Sequence, residues 1–121
     1  MADLKGETGG SVGRTEAEIS KEIVQIHAHY YGRGPTKSKT FISDEAVLCL
    51  LGEIFTPSEA ILVERGRFEE VRANRIAFQD AVEDMLREAV ERISGRPVTS
   101  FLSQISEQGF ASEVFVLGDA A

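Results

Sequence analysis

The stretch SKTFISDEAVLCLL, residues 38–51, decides the fold class because it indicates a β-hairpin. Residues 38–43 and 46–51 read as two strands, and the Ser-Asp-Glu of residues 43–45 has the chemistry of a tight turn. The second strand is apolar on both faces, although a strand in a two-layer domain needs only one apolar face. We therefore expect either helices on both faces of this strand or a second subunit against one of them.

A helix precedes the hairpin. Its apolar residues recur every three or four positions, which is typical of a helix face that packs on a core. Thr15 and Glu18 have the spacing of a capping box, so the helix is predicted to start at Thr15 and to end at Gly32. The stripe is shorter than two heptads, which favours a core-facing helix over a coiled coil. It consists of Ile19, Ile23, Ile26 and Tyr30.

Two helices and a second hairpin follow. Thr56, Pro57 and Glu59 form a strong helix start, which predicts a short helix over about 57–65. A long helix over about 67–94 comes next, with Arg75 on its apolar stripe, where it would either reach solvent, the commoner outcome, or face an acidic residue across a subunit interface. The remaining members of the stripe are Val71, Phe78, Val82, Met85, Ala89 and Ile93.

The fold class is therefore α+β, in the order α-ββ-α-α-ββ. Strands at about 98–105 and 112–117 form the second hairpin, and the two hairpins are predicted to build one antiparallel sheet against the helices. Residues 1–13 are polar and glycine-rich, which predicts a flexible, dispensable tail before a single domain over 14–118. The overlong helix and the two-faced strand together predict a homo-oligomer, most simply a dimer.

The charge of the chain argues against several classes of partner. The 121 residues carry a net charge of −7, and residues 41–121 hold seven basic against fifteen acidic side chains. Such acidity disfavours nucleic acids and anionic membrane surfaces. A single cysteine rules out an internal disulfide, and no apolar run approaches the ~20 residues that cross a bilayer. These features predict a cytoplasmic protein that does not insert into a membrane.

The glycine-rich loop after the first helix is the candidate binding site. Amides freed by its glycines could point at an anion, which its two cations could pair with. It is not a P-loop, because the spacing differs and no helix follows. A plain helix-to-strand turn explains the glycines equally and is the favoured interpretation. The candidate loop comprises Tyr31, Gly32, Arg33, Gly34, Pro35, Thr36 and Lys37.

No catalytic, metal-binding or cofactor-binding constellation is visible in the sequence. His27 and His29 lie two apart on a helix, so they point in different directions and are expected to be polar-face or boundary residues. Cys49 stands among apolar neighbours in a strand, which predicts an inert core thiol. The acidic and basic residues at 83–92 alternate as on a solvated helix face. We therefore expect a protein that is not an enzyme.

Five segments of the chain form a recognisable set: YGRGPTK (31–37), LVE (62–64), RIAFQ (75–79), SGRPV (94–98) and EVFVL (113–117). In order and spacing they resemble the MpsC-like family, formerly a domain of unknown function. The similarity runs from about Thr15 to Leu117 and is specific to that family. Tyr31 stands where members often carry Thr.

The resemblance implies a role, not a reaction. The family is named for the third component of a bacterial system proposed to generate membrane potential by translocating sodium. The other components resemble integral membrane proteins, so the resemblance implies a membrane-protein partner and an association with the membrane through it. The expected function is a non-enzymatic accessory or regulatory protein, and the alternative is a small-ligand or anion-binding sensor that uses residues 32–37.

Overall fold

Two long helices pack on one face of a four-stranded antiparallel sheet and a short helix packs against the second of them, in the predicted order α-ββ-α-α-ββ. The computed structural model describes the backbone of residues 2–119 and the side chains of residues 12–119. The elements are α1 (Ala2–Tyr31), β1 (Lys37–Ile42), β2 (Ala46–Gly52), α2 (Pro57–Glu64), α3 (Phe68–Ser94), β3 (Val98–Ile105) and β4 (Ala111–Leu117).

The strand order in the sheet is β1-β2-β4-β3, so the two predicted hairpins lie side by side and β2 pairs with β4 at the centre. Helix α1 packs over β1 and α3 packs over β3. The core lies between this helical layer and the inner face of the sheet. It is formed chiefly by Ile19, Ile23, Val47, Leu51, Leu86, Val90 and Phe115.

The start of α2 follows the predicted capping box. The Thr56 side chain accepts a hydrogen bond from the Glu59 amide at 3.2 Å, and the Thr56 amide donates to the Glu59 carboxylate at 2.9 Å. Two of the amide donors at the helix start are satisfied in this way. Glu59 is nevertheless buried, with 7% of its surface exposed, because its carboxylate has a second partner.

The long helix α3 has the predicted length but buries a partly different face. Val71, Val82 and Ala89 are buried as predicted, whereas Met85 is 40% exposed. The buried stripe is completed by Leu86 and Val90 and by two polar residues, Arg75 and Gln79. The predicted face was therefore right in part, since Phe78 and Ile93 are half-buried against the core. It was wrong at Met85, because the buried face turns to Leu86 and includes polar residues that have partners in the interior.

The predicted start of α1 at Thr15 was also wrong. The helix continues through this residue from Ala2, because a spacing of three between Thr and Glu also fits the interior of a helix. Tyr30, predicted to continue the core stripe, is 49% exposed, and His27 takes the buried position instead. The prediction that residues 1–13 are flexible and dispensable remains untested, since the side chains of residues 1–11 lie outside the described part.

Candidate functional site

The candidate loop connects α1 to β1 and is tied to the corner between β2 and α2. The Arg33 guanidinium donates hydrogen bonds to the carbonyl oxygens of Phe55 and of Glu53, the latter at 3.1 Å. The Thr36 hydroxyl donates to the Glu53 carboxylate. Glu53 has a positive φ of 54°, a conformation that costs energy for a residue with a side chain. Arg33 and Thr36 thus hold a strained corner in place.

The glycines of this loop allow a turn and a close approach to α1. Gly32 has a φ of 81° and donates its amide hydrogen bond to the carbonyl of Ala28, as in a left-handed helix end. A β-carbon on Gly34 would lie 2.9 Å from the carbonyl oxygen of Val24. Pro35 is buried beside them, and Lys37 is exposed. These contacts are those of a structural turn, while binding of an anion by this loop remains a prediction.

Tyr31, the first residue of the candidate loop, is half-buried in the helical layer. Its ring lies under the guanidinium of Arg75, with 3.9 Å between the ring centroid and the guanidinium carbon. The ring also contacts Phe78 at a centroid distance of 4.6 Å. Burial raises the pKa of the Tyr31 phenol to about 12, although the positive charge of Arg75 acts in the opposite direction. The phenol therefore keeps its proton at neutral pH.

Arg75 forms a buried, two-pronged ion pair with Glu59. Its Nε donates to Oε2 of Glu59 at 2.8 Å and its Nη2 to Oε1 at 2.5 Å, and Nη2 also donates to the carbonyl oxygen of Ile54 at 2.8 Å. Burial raises the pKa of Glu59, but the hydrogen bonds and charge of Arg75 outweigh it and keep that pKa below its usual value. The prediction that Arg75 reaches solvent was wrong, because its acidic partner lies in the same chain.

A second buried ion pair joins α1 to the centre of the sheet. Nε2 of His27 lies 3.2 Å from Oε2 of Glu113, and both side chains are almost wholly buried. Nδ1 of His27 donates to the carbonyl oxygen of Ile23 at 2.8 Å. Burial lowers the pKa of His27, but the hydrogen bonds to Glu113 and Ile23 and the charge of Glu113 together raise it above 6.5. The prediction that His27 is a polar-face or boundary residue was therefore wrong, whereas His29 is exposed.

Gln79 of α3 lies beside the second ion pair. We call the two ion pairs and Gln79 together the buried polar cluster, which consists of His27, Glu59, Arg75, Gln79 and Glu113. Its Nε2 lies 3.1 Å from Nε2 of His27. A neutral His27 can accept a hydrogen bond there, whereas a protonated His27 has a hydrogen on the same nitrogen and donates it to Glu113. The preferred orientation of the Gln79 amide thus depends on the protonation state of His27. Protonation of His27 therefore changes the hydrogen bonds that connect α1 to α3 and to β4.

The sheet contributes a polar row beneath these helices. Thr40, Cys49, Glu113 and Ser103 face each other across the four strands. The Thr40 hydroxyl lies 2.6 Å from that of Ser20 and 3.5 Å from the Cys49 sulfur. Burial raises the pKa of the Cys49 thiol to about 12, as expected for an inert core cysteine. Among residues 12–119, no group of three or more His, Cys, Asp or Glu side chains is suited to hold a metal ion.

The outer face of the sheet is apolar and open. A row of four apolar side chains crosses all four strands there, formed by Phe41, Leu48, Val114 and Leu102. Phe41 is 47% exposed and Leu102 is 59% exposed. We call this surface the open sheet face, with Leu50 and Phe110 at its border. It explains the two-faced apolar pattern of β2, because the described helices cover only its inner side.

Sequence reasoning missed the buried polar cluster because its members are far apart in the chain. Residues 27, 59, 75, 79 and 113 come from four elements that only the folded chain brings together. One signal was present, since Arg75 falls on the stripe that α3 buries and Gln79 follows it by one helical turn. His27 likewise lies four residues after the core residue Ile23. No pattern in the sequence indicated that Glu113 would be their partner.

Comparison with known proteins gives a family but no described activity. Residues 11–119 match the family model described as "Na+-translocating membrane potential-generating system (MpsC)". The chain is also 29% identical over 99 residues to the uncharacterized protein YbcI of Bacillus subtilis (strain 168), which covers 81% of this chain and 80% of that protein. No solved structure matches significantly. The family model spans nearly the whole chain, including every residue of the buried polar cluster, and the chain therefore belongs to the MpsC family.

Proposed function

We propose that this chain is a non-enzymatic accessory or regulatory component of a membrane potential-generating system. The description of its family supports its membership of such a system. The open sheet face supports a mode of action by binding to other proteins. A contiguous apolar surface on a soluble domain is typical of a protein that binds other proteins. The chain thus acts by assembling with other protein chains, and its partners include the other components of the system.

The distribution of charge supports binding over catalysis. Arg75 with Glu59 and His27 with Glu113 form pairs inside the protein. Catalytic acids and bases need access to a substrate in a cleft, whereas these groups connect helices to each other and to the sheet. Their contribution is to fix the shape of the domain that presents the open sheet face.

The site of action that we propose is the cytoplasmic side of the membrane, reached through an integral membrane protein. None of the helices in the described part of the chain is both long enough and apolar enough to span a bilayer. The acidic character of the chain also opposes adsorption to anionic lipid. Contact with a membrane-embedded partner is then the route by which this protein influences a transmembrane ion gradient.

The proposal is tested in cells that lack the gene. Membrane potential, followed with a voltage-sensitive dye, and sodium efflux are measured over a range of external sodium concentrations. Both should fall in the deletion strain and return with the wild-type gene. Leu102→Asp should fail to restore them, whereas Ile61→Asp on α2, which alters a side chain of comparable exposure (51% against 59%), should restore them. An unchanged potential and efflux in the deletion strain would refute the proposed function.

Anion sensing by residues 32–37 is the second candidate function. Lys37 and Lys39 are exposed and take part in no ion pair among residues 12–119, which favours some attraction of anions to this end of the sheet. Arg33 donates to two backbone carbonyls, however, and the Glu53 carboxylate accepts a hydrogen bond from Thr36 of the same loop. An anion would meet that negative charge, so this candidate has the weaker support.

A further inference from the structure

We propose that the open sheet face is covered by a second copy of this chain, in a symmetric dimer whose two-fold axis runs along the row Phe41, Leu48, Val114 and Leu102. This inference rests on the proposed function, in which the chain acts by assembly. It assigns the open sheet face to a second copy, so that the membrane partner binds another surface of the dimer. It rests on the shape of the apolar row and on the position of charges at the two ends of β1.

The apolar row suits a two-fold axis because it crosses the sheet at right angles to the strands. When one copy is rotated by 180° about this line, each side chain of the row meets its own equivalent in the partner. Leu48 and Val114 on the two central strands then form the centre of the interface. The strands of the two sheets run nearly along one another, as in aligned packing of two sheets about 10 Å apart.

Charges along β1 distinguish this axis from the alternative. Lys37 and Lys39 point outward before the apolar row, and the turn residues Asp44 and Glu45 lie after it. All four are exposed, and none forms an ion pair within the described part of the chain. Rotation about the apolar row exchanges the two ends of β1, which brings the lysines of one copy to the acidic turn of the other. The same rotation sets Leu50 of one copy against Ala46 of the other.

The alternative axis, parallel to the strands, gives no such match. It would set β1 of one copy against β3 of the other, so that Lys39 would face Gln104 and Phe41 would face Leu102. The lysines would then be desolvated without an opposite charge, which is unfavourable. Charge complementarity therefore selects the axis along the apolar row. It also selects a second copy over an anionic lipid surface, which would be repelled by the acidic turn.

The size of the sheet sets the concentration at which the dimer should be studied. Four strands about 4.8 Å apart and about seven residues long cover roughly 19 by 24 Å in plan. That plan area of roughly 460 Å² is below the roughly 800 Å² per partner that stable protein interfaces bury, and is typical of weak or transient complexes. We therefore expect dissociation in the micromolar range, within reach of sedimentation equilibrium.

Sedimentation equilibrium of the purified full-length chain between about 1 and 100 µM tests the interface. The wild type should be dimeric at the upper end and dissociate on dilution. Leu102→Asp should be monomeric throughout, with an unchanged circular dichroism spectrum, and Ile61→Asp should dimerise like the wild type. Because Leu102 could matter for folding, Phe41→Ser on the edge strand provides a second variant with the same expectation. A wild type that is monomeric at 100 µM, or dimers that survive both face variants, would overturn the interface.

Charge reversal tests the axis. Lys39→Glu and Glu45→Lys should each raise the dimer dissociation constant about tenfold, since each pair occurs twice in a symmetric dimer. The double variant should recover most of the loss. If both single variants dimerise more weakly and the double variant does not recover, the proposed orientation of the two copies is wrong. A chain that restores membrane potential in the deletion strain yet remains monomeric would overturn the dimer and leave the proposed function intact.

Discussion

The guanidinium carbon of Arg75 lies 3.9 Å from the centroid of the Tyr31 ring, so a buried cation stacks on an aromatic face while its nitrogens bind the carboxylate of Glu59. This arrangement joins α1, α2 and α3 at one point. The favourable contacts offset the cost of removing a charge from water only while all three groups are present. Loss of the cation leaves a carboxylate buried without its partner.

We therefore expect Arg75→Met to lower the free energy of unfolding by about 3–5 kcal/mol. The size of the effect comes from the stranded charge of Glu59 and not from the volume removed. Urea denaturation followed by circular dichroism gives the value. Arg67→Ala, which removes the exposed ion pair with Glu70, is the matched control and should leave the midpoint unchanged. A loss as small as that of the control would show that Glu59 finds water or another donor.

The pair His27 and Glu113 predicts stability that falls as the solution becomes alkaline. The pKa of His27 is raised above 6.5 in the folded protein, so the folded state binds the proton more tightly than the unfolded state does. Its contribution is fully present below about pH 6.5 and is lost as the pH rises through the raised pKa. Denaturation between pH 6 and 9 should show this decline.

Two variants assign the decline to this pair. Glu113→Gln removes the charge that favours protonated His27, so the slope between pH 6 and 9 should flatten. His29→Gln alters an exposed histidine of the same helix and should keep the slope of the wild type. Persistence of the full slope in Glu113→Gln would contradict the role given to the pair. Nuclear magnetic resonance of the His27 ring would locate its titration directly.

Gly34→Ala should destabilise the protein by about 1–3 kcal/mol, as overpacking does at a tight contact. The new methyl group would lie 2.9 Å from the Val24 carbonyl oxygen and 3.2 Å from the Ala28 β-carbon. Backbone atoms cannot move aside cheaply, so the loop must shift away from α1. Gly13→Ala is the control, because nothing lies within 4 Å of the added group. Thermal unfolding of both variants gives the comparison, and equal stability would mean that the loop moves freely.

The two cations of the candidate loop should behave differently on substitution. Arg33→Ala should cost about 1–3 kcal/mol, since charge-assisted hydrogen bonds to two carbonyls are lost. Lys37→Ala should be nearly neutral for stability, because the side chain is exposed. If the loop binds anions, phosphate should raise the melting temperature of the wild type, and Lys37→Ala should reduce that increase. Absence of any shift up to high millimolar phosphate would identify the loop as a turn alone.

The sequence predicted the fold well because its signals are local. Turn residues at 43–45 marked the first hairpin, Thr56 and Glu59 marked a helix start, and Gly95 marked a helix end, where it has a φ of 74°. Each of these depends on neighbours within a few positions. The buried cluster depends on pairs such as His27 with Glu113, separated by most of the chain. Prediction from a hydrophobic stripe places charged and polar residues in solvent. The burial of His27 and Glu113 could therefore not be inferred without knowing that they pair.

The contact between His27 and Glu113 has a further consequence for how the chain selects one structure among close competitors. Strands β2 and β4 are apolar on both faces, so a slip of one residue would still bury an acceptable set, such as Val114 and Val116. Glu113 removes that ambiguity: in the slipped pairing it would point outward and leave His27 enclosed without a counter-charge. The buried pair thereby widens the energy gap between the native strand pairing and its nearest rival, in addition to whatever it contributes to the stability of the native state.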